Sequence, residues 1–241
     1  MKKFEPGVLD ALLRTSFHSF MTKAFTSLNS TQQFQDNWHL DAITYQFERC
    51  LSGECKRLLI TLPPRSLKSH IASVSFPAYI LGKNPTARII CASYSQSLAD
   101  HLSTQTRAVM DTDWYQGIFP ATKVSAKKDS MSEFVTSNNG VRLATSVGGT
   151  LTGRGAQFII VDDPHKAEEA ESETHRSNVR KWFTGSLLSR LDHKSEGVIA
   201  VIQQRLHEDD LAGHLIESGG WEHLNLAAIS EYEQTIALEK K

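Results

Sequence analysis

This 241-residue sequence has few cysteines, no long apolar run and no large excess of one charge. Its three cysteines, Cys50, Cys55 and Cys91, lack metal-site spacing, so we expect buried reduced thiols. No apolar run is long enough to span a membrane, and the N-terminus lacks the apolar core of a signal peptide. Lysine plus arginine (26) nearly balances aspartate plus glutamate (27), so any DNA contact must come from a local basic surface. These absences predict a cytoplasmic protein without a membrane partner.

The hydrophobic pattern predicts an α/β fold. Hydrophobic residues make up 40% of the chain, which is enough for one large domain. Strand-like runs alternate with helical patterns, with strands at 58–62, 87–93, 158–161, 196–202 and 223–228 and helices at 70–81, 94–110, 173–191 and 208–216. Such alternation predicts a mostly parallel sheet flanked by helices, with its sites at the carboxyl ends of the strands.

The remaining segments complete the predicted organisation. Helical patterns at 6–28 and 39–51 precede the first strand, and an Asn-Gly turn predicts a hairpin over 134–145. Residues 111–132 look irregular. We expect an N-terminal helical segment, an α/β domain, and a C-terminal tail or linker, over residues 1–37, 38–230 and 231–241.

The stretch from Leu59 to Ser69 predicts a phosphate-binding loop, although it lacks both glycines of the pattern G-x-x-x-x-G-K-[ST]. Leu62 and Leu67 stand at the glycine positions, and a side chain at Leu67 crowds the approach of phosphate. Lys68 would neutralise phosphates and the Ser69 hydroxyl would ligate Mg²⁺. The loop that would contact the nucleotide consists of Pro64, Arg65, Ser66, Leu67, Lys68 and Ser69. Alone, this pattern equally suits an ordinary strand-to-helix turn.

A second pattern, Phe-Ile-Ile-Val-Asp-Asp, ends another strand with two carboxylates. Asp162 would hold the Mg²⁺ ion through its hydration shell, and Asp163 would orient or deprotonate the attacking water. The alternative is an aspartate pair that caps the next turn. Two such patterns at strand ends in one chain favour catalysis, and the loops after Leu62, Val161 and Ile202 should then converge.

Several other polar residues are candidates for the same site. Arg65 could contact the γ-phosphate within the chain, and Arg154 could reach the nucleotide of a neighbouring subunit. Gln203 and Gln204 could sense the γ-phosphate, although for either glutamine a strand-end hydrogen bond to the backbone is the preferred interpretation. Trp38 could stack on adenine, but a place in the core is the preferred interpretation. The acidic run that starts at His207 favours the first turn of a helix over a metal site.

Four stretches together resemble the large terminase subunits of tailed bacteriophages. In chain order they are Pro-Pro-Arg-Ser-Leu-Lys-Ser (63–69), Val-Gly-Gly-Thr-Leu-Thr-Gly-Arg-Gly (147–155), Ile-Ile-Val-Asp-Asp-Pro (159–164) and Arg-Leu-His-Glu-Asp-Asp-Leu (205–211). The resemblance implies a P-loop NTPase fold (RecA/ASCE-like) that hydrolyses ATP with Mg²⁺ to move double-stranded DNA. It also implies a ring of copies on the portal protein, a small terminase subunit as partner, and action in the host cell cytoplasm.

The sequence departs from that family in two respects. Leu67 replaces a glycine, and the chain ends at Lys241 without a second cluster of strand-borne carboxylates. We therefore expect no nuclease activity, and either an excised ATPase domain or a short gene product, which can be monomeric when isolated. Two alternatives remain, namely a helicase-like ATPase of the same fold and a degenerate scaffold that binds nucleotide or DNA without turnover.

Overall fold

The computed structural model describes residues 7–229, 233 and 235–238, and the side chains of residues 126–129 are not described. Eight strands form one sheet, and they are β1 (Arg57–Thr61), β2 (Arg88–Ser93), β3 (Val124–Asp129), β4 (Glu133–Thr136), β5 (Val141–Ser146), β6 (Phe158–Asp162), β7 (Val198–Gln203) and β8 (Glu222–Asn225). The α-helices are α1 (Val8–Thr15), α2 (Phe17–Leu28), α3 (Trp38–Ser52), α4 (Phe76–Lys83), α5 (Gln96–Met110), α6 (Asp113–Ile118), α7 (Glu173–Lys181) and α8 (Leu211–Ser218). Tighter or wider helical turns occupy His70–Ser75, Ala167–Glu169, Trp182–Leu187 and Leu188–Arg190.

The strand order across the sheet is β3-β4-β5-β2-β6-β7-β1-β8. From β5 to β8 every neighbouring pair is parallel, whereas β3 and β4 are antiparallel additions at one edge. The predicted α/β class, a mostly parallel sheet flanked by helices, is confirmed. Because the parallel strands share one direction, the chain leaves β1, β6 and β7 at the same edge of the sheet.

Both faces of the sheet are covered, which explains why its central strands are apolar throughout. Alternate residues of β1 enter different clusters, since Leu58 and Ile60 pack beneath the N-terminal helices while Leu59 packs on the side of α7 and α8. All six residues of β7 are buried. Continuous burial of this kind is expected for a central parallel strand.

The N-terminal helices pack directly against the helix that follows the first strand. Phe17 of α2 lies in edge contact with Phe76 of α4, with ring centroids 5.3 Å apart. The predicted single helical pattern over 6–28 is divided at Ser16, whose hydroxyl accepts a hydrogen bond from the Ser19 backbone at 3.2 Å. The expected boundaries at 37/38 and 230/231 stay a prediction, and residues 230–232 lie outside the described residues.

One prediction of secondary structure is wrong. Residues 111–132 contain helix α6 and strand β3 instead of an irregular segment. Helix α6 is short, and it starts at a Thr112 side-chain cap and buries Tyr115 and Ile118. Strand β3 is an edge strand with two lysines, so it has no apolar alternation that would reveal it.

Two predictions that rest on the scarcity of cysteine and of long apolar runs can also be compared with the structure. Cys50, Cys55 and Cys91 are free thiols and all three are buried, as expected. Within the described ranges, no helix has the length and apolar character needed to cross a membrane.

Candidate nucleotide site at the carboxyl edge of the sheet

The loop after β1 adopts an unusual backbone conformation without any glycine. Arg65 and Leu67 have φ angles of 63° and 59°, in the left-handed region that glycine occupies most easily. For other residues this region costs about 1–2 kcal/mol each. The Ser66 hydroxyl bonds the Pro63 carbonyl at 2.9 Å and stabilises the turn. The chain then enters a helix that runs without interruption from residue 68 to residue 83.

Leu67 occupies the predicted glycine position and keeps the backbone conformation that a glycine would adopt there. Its side chain is partly buried and packs against the larger core cluster. This apolar contact offsets part of the cost of the left-handed conformation.

Lys68 is the first residue of this helix, and it is directed across the edge of the sheet to the end of β6. Its Nζ atom lies 2.9 Å from Asp163 Oδ2, and the lysine is 7% exposed. Asp163 has a φ of 43°, and its other carboxylate oxygen accepts a hydrogen bond from the Gln204 backbone at 3.0 Å. The loops after β1, β6 and β7 therefore meet, as the strand pattern predicted.

Asp162, the last residue of β6, is fully buried next to the helix that follows the loop. Ser69 Oγ donates to its Oδ1 at 3.1 Å, and Ser73 Oγ donates to its Oδ2 at 2.9 Å. Burial raises the pKa of Asp162 to about 7, and the neighbouring carboxylate of Asp163 adds to this rise. In this environment a cation near Asp162 would stabilise its charged form.

The predicted arginines lie outside this cluster. Arg65 is exposed, and its guanidinium has no hydrogen bond or ion pair with any described residue. Arg154 Nη1 pairs with Glu133 Oε1 of β4 at 2.7 Å, and no described contact joins it to Lys68 or Asp163. Arg65 lies in the loop that leaves β1 at the carboxyl edge, whereas Arg154 lies in the connection between β5 and β6, four residues before β6 begins. The catalytic roles of both arginines stay a prediction.

The two glutamines at the end of β7 have different surroundings. Gln204 contacts the cluster through its backbone N–H, and this hydrogen bond does not involve its side chain. Gln203 is buried, and its Oε1 atom has no hydrogen-bond partner among the described residues. The predicted role of Gln204 as a sensor of phosphate stays a prediction.

The expectation that Trp38 belongs to the core is wrong, because its side chain is 62% exposed at the start of α3. The prediction that the acidic run starting at His207 belongs to the start of a helix is confirmed. Asp210 caps α8, because its carboxylate accepts a hydrogen bond from the Gly213 backbone at 2.9 Å. Arg205 reinforces this cap through an ion pair with Asp210 at 3.1 Å. The Arg-Leu-His-Glu-Asp-Asp-Leu stretch is thus a structural connection between β7 and α8.

Sequence reasoning missed Ser73 and Arg142. Ser73 contacts Asp162 directly, and Arg142 Nη2 donates to the Ser73 carbonyl at 3.0 Å. A signal for Ser73 was its position four residues after Ser69, which places both hydroxyls on the same face of a helix. Arg142 interrupts an apolar strand run, Val-Arg-Leu-Ala, and that interruption was the only available signal.

Comparisons with known proteins support the same fold. No protein-family model and no curated protein matches the chain. The crystal structure of the HK97 bacteriophage large terminase is similar, with a TM-score of 0.53 and 13% sequence identity over 77% of this chain and 36% of that chain. A large terminase from a thermophilic bacteriophage, in complex with ADP, has a TM-score of 0.43 and 9% identity over 75% of this chain and 44% of that chain.

These similarities concern part of each larger protein, since this chain spans about a third of the HK97 large terminase. The similarity to the HK97 large terminase shows the fold at low sequence identity. The resemblance expected from the four sequence stretches is therefore confirmed at the level of fold, because the chain shares its fold with part of the HK97 phage large terminase.

Proposed function

We propose that this chain is the ATPase motor domain of a phage terminase large subunit, which hydrolyses ATP with Mg²⁺ to drive double-stranded DNA into a procapsid. The observation that carries the proposal is the convergence of four side chains from two strand ends. Lys68 pairs with Asp163 at 2.9 Å, and Ser69 bonds Asp162 at 3.1 Å. The shared fold with the HK97 large terminase adds support.

In this proposal Lys68 changes partner when nucleotide binds. A triphosphate carries more negative charge than one carboxylate, so its oxygens would draw the Lys68 ammonium from Asp163. The helix N-terminus and the backbone N–H groups of the loop would hold the same phosphates. Asp163, once released, would orient the attacking water, and Arg65 would add positive charge at the γ-phosphate.

The oxygen ligands fit a magnesium ion. The Ser69 hydroxyl and the Asp162 carboxylate are hard donors that already lie within hydrogen-bond distance of each other. Mg²⁺ at phosphate sites uses one or two protein oxygens and completes its shell with phosphate oxygens and water. The described residues contain no group of three or more His, Cys, Asp or Glu that could hold a metal, and such a site does not require one. Mg²⁺ would neutralise charge that develops on the phosphates.

The larger assembly follows from the proposed motor role. We propose a homo-oligomeric ring on the portal protein, a small terminase subunit as partner, and action in the host cell cytoplasm. Arg154 would then act on a neighbouring subunit's nucleotide, after exchanging its ion pair with Glu133 for phosphate.

The test is Mg²⁺-dependent phosphate release by the wild-type chain, with and without double-stranded DNA and portal. We expect Lys68→Ala to lower the rate by about 10²–10³, as the loss of a group that stabilises transition-state charge does. Lys56→Ala is the matched control, because Lys56 is an exposed lysine that precedes β1 at its opposite end. Equal rates for the wild type and Lys68→Ala would refute the proposal.

Two further readouts address the alternative functions. Separation of duplex strands during hydrolysis would favour a helicase-like ATPase over a translocating motor. Calorimetric ATP binding without phosphate release, even with DNA and portal present, would favour a scaffold.

A further inference from the structure

A second serine holds the carboxylate proposed to bind metal. Ser73 Oγ donates to Asp162 Oδ2 at 2.9 Å, while Ser69 Oγ donates to Oδ1 at 3.1 Å. In the proposed function, the Ser69 hydroxyl oxygen would be a ligand of Mg²⁺. Ser73 would not ligate the metal, and its hydrogen bond would fix the direction of the free lone pairs of Asp162.

Ser73 is itself held by two other elements of the fold. Its carbonyl accepts a hydrogen bond from Arg142 Nη2 of β5 at 3.0 Å. It also lies 3.2 Å from Thr106 Oγ1 of α5, whose hydroxyl hydrogen is shared with the Leu102 carbonyl at 2.9 Å. Ser73 lies in the wide helical turn His70–Ser75, where backbone carbonyls leave the regular α-helical pattern. Residue 77, whose N–H would bond the Ser73 carbonyl in an α-helix, is a proline without an N–H, so donors from other elements bond this carbonyl.

Arg142 is an unusual residue to find at this position. It is 0% exposed, and its Nε and Nη1 atoms have no hydrogen-bond partner among the described residues. Burial lowers the pKa of Arg142 from its ordinary value. A buried guanidinium is costly, so an apolar residue would serve a purely structural role at lower cost. Its described hydrogen bond is the one to the Ser73 carbonyl.

We propose that Ser73 is a positioning residue for the metal ligand Asp162, and that Arg142 and Thr106 keep Ser73 in place. This inference rests on the proposed function, because it concerns the same metal site. Partners of metal ligands typically contribute about 10–100-fold to metal affinity through the orientation of the ligand. Ser73 should affect metal binding more than nucleotide binding, since none of its described contacts reaches Lys68.

The experiment measures Mn²⁺ binding to the full chain with ADP by electron paramagnetic resonance, and ADP binding without metal by calorimetry. We expect Ser73→Ala to weaken Mn²⁺ binding about 10–100-fold and to leave metal-free ADP binding within about twofold. Ser75→Ala is the matched control, because Ser75 is equally buried in the same turn and its hydroxyl contacts His70 instead of Asp162. This control should match the wild type in both measurements.

A third variant tests the support behind Ser73. Thr106→Val removes one donor to the Ser73 carbonyl and keeps the branched shape of the side chain, so we expect a smaller loss of Mn²⁺ affinity, about three- to tenfold. Substitution of Arg142 endangers folding, whereas Ser73→Ala removes a hydroxyl group and Thr106→Val replaces one with a methyl group.

Each outcome has a defined meaning. Wild-type Mn²⁺ affinity in Ser73→Ala would overturn the positioning role while leaving the proposed function intact. Equal loss of metal-free ADP binding and Mn²⁺ binding in Ser73→Ala would also overturn it, because the residue would then support the fold in general. Absence of Mn²⁺ and ADP binding in the wild type would overturn the proposed function and this inference together.

Discussion

Asp162 should make the nucleotide-free protein less stable as pH rises, and Asp162→Asn should remove this dependence. Burial and the Asp163 carboxylate raise the pKa of Asp162 to about 7 in the folded state, from an ordinary value of 3.8. Below pH 3.8 the group is protonated in both the folded and the unfolded chain. Between pH 3.8 and about 7 only the unfolded chain releases the proton, so the free energy of unfolding falls as pH rises.

The size of this effect follows from the difference between the two pKa values. A difference of about three units corresponds to an upper limit of about 4 kcal/mol, at about 1.4 kcal/mol per unit. Domains of this kind are stable by about 5–15 kcal/mol, so even half of the limit is measurable. Asparagine keeps the shape and one acceptor oxygen, so one serine hydroxyl faces the amide NH2, much as it would face the O–H of a protonated carboxyl. Asparagine never acquires the buried charge.

The assay is urea unfolding of the wild type and Asp162→Asn at intervals from about pH 4 to about pH 8, without nucleotide or metal. We expect the two proteins to be similar near pH 4, and the variant to be more stable by about 2–4 kcal/mol at about pH 8. Asp111→Asn, at an exposed position, controls for the loss of one negative charge. A difference that stays constant over this pH range, or that grows as pH falls, would refute the reasoning.

Three further predictions concern other parts of the chain. Gly140→Ala should lower the free energy of unfolding by about 1–3 kcal/mol in urea unfolding, because a Cβ atom there would lie 2.4 Å from the Pro85 carbonyl oxygen. Leu67→Gly should keep or strengthen calorimetric ADP binding, since glycine adopts the 59° φ without a steric cost, and a roughly tenfold weakening would show that the leucine side chain helps to form the site. Arg154→Ala should leave phosphate release by the isolated chain nearly unchanged but lower the portal-stimulated rate by about 10³ or more, and equal stimulated rates would exclude its role across subunits.

The cluster formed by Lys68, Ser69, Asp162 and Asp163 was largely predictable because its residues follow strand ends. The apolar runs before Pro63 and Asp162 identify two buried strands, and parallel strands bring their carboxyl ends to one edge of the sheet. The pairing of Lys68 with Asp163 follows from that geometry. What these residues bind is still a proposal, because neither pattern alone excludes a simple structural turn.

The parts that were not predicted have weak or ambiguous sequence signals. Trp38 carries a large apolar ring at the start of a helix, and a sequence pattern alone does not show which side of the helix start is exposed. Ser73 looks like any small helical residue, and Arg142 looks like a polar interruption of a strand. Ser73 and Arg142 matter because the turn His70–Ser75 contacts β5, α5 and β6, and only the tertiary structure defines those contacts.

The most direct test of the site is a crystal structure of the chain with Mg²⁺ and a non-hydrolysable ATP analogue. The proposal predicts that Lys68 Nζ leaves its 2.9 Å contact with Asp163 and binds a phosphate oxygen, with the metal between Ser69 and Asp162. A structure in which the nucleotide binds elsewhere, while the Lys68–Asp163 ion pair persists, would contradict the proposed function.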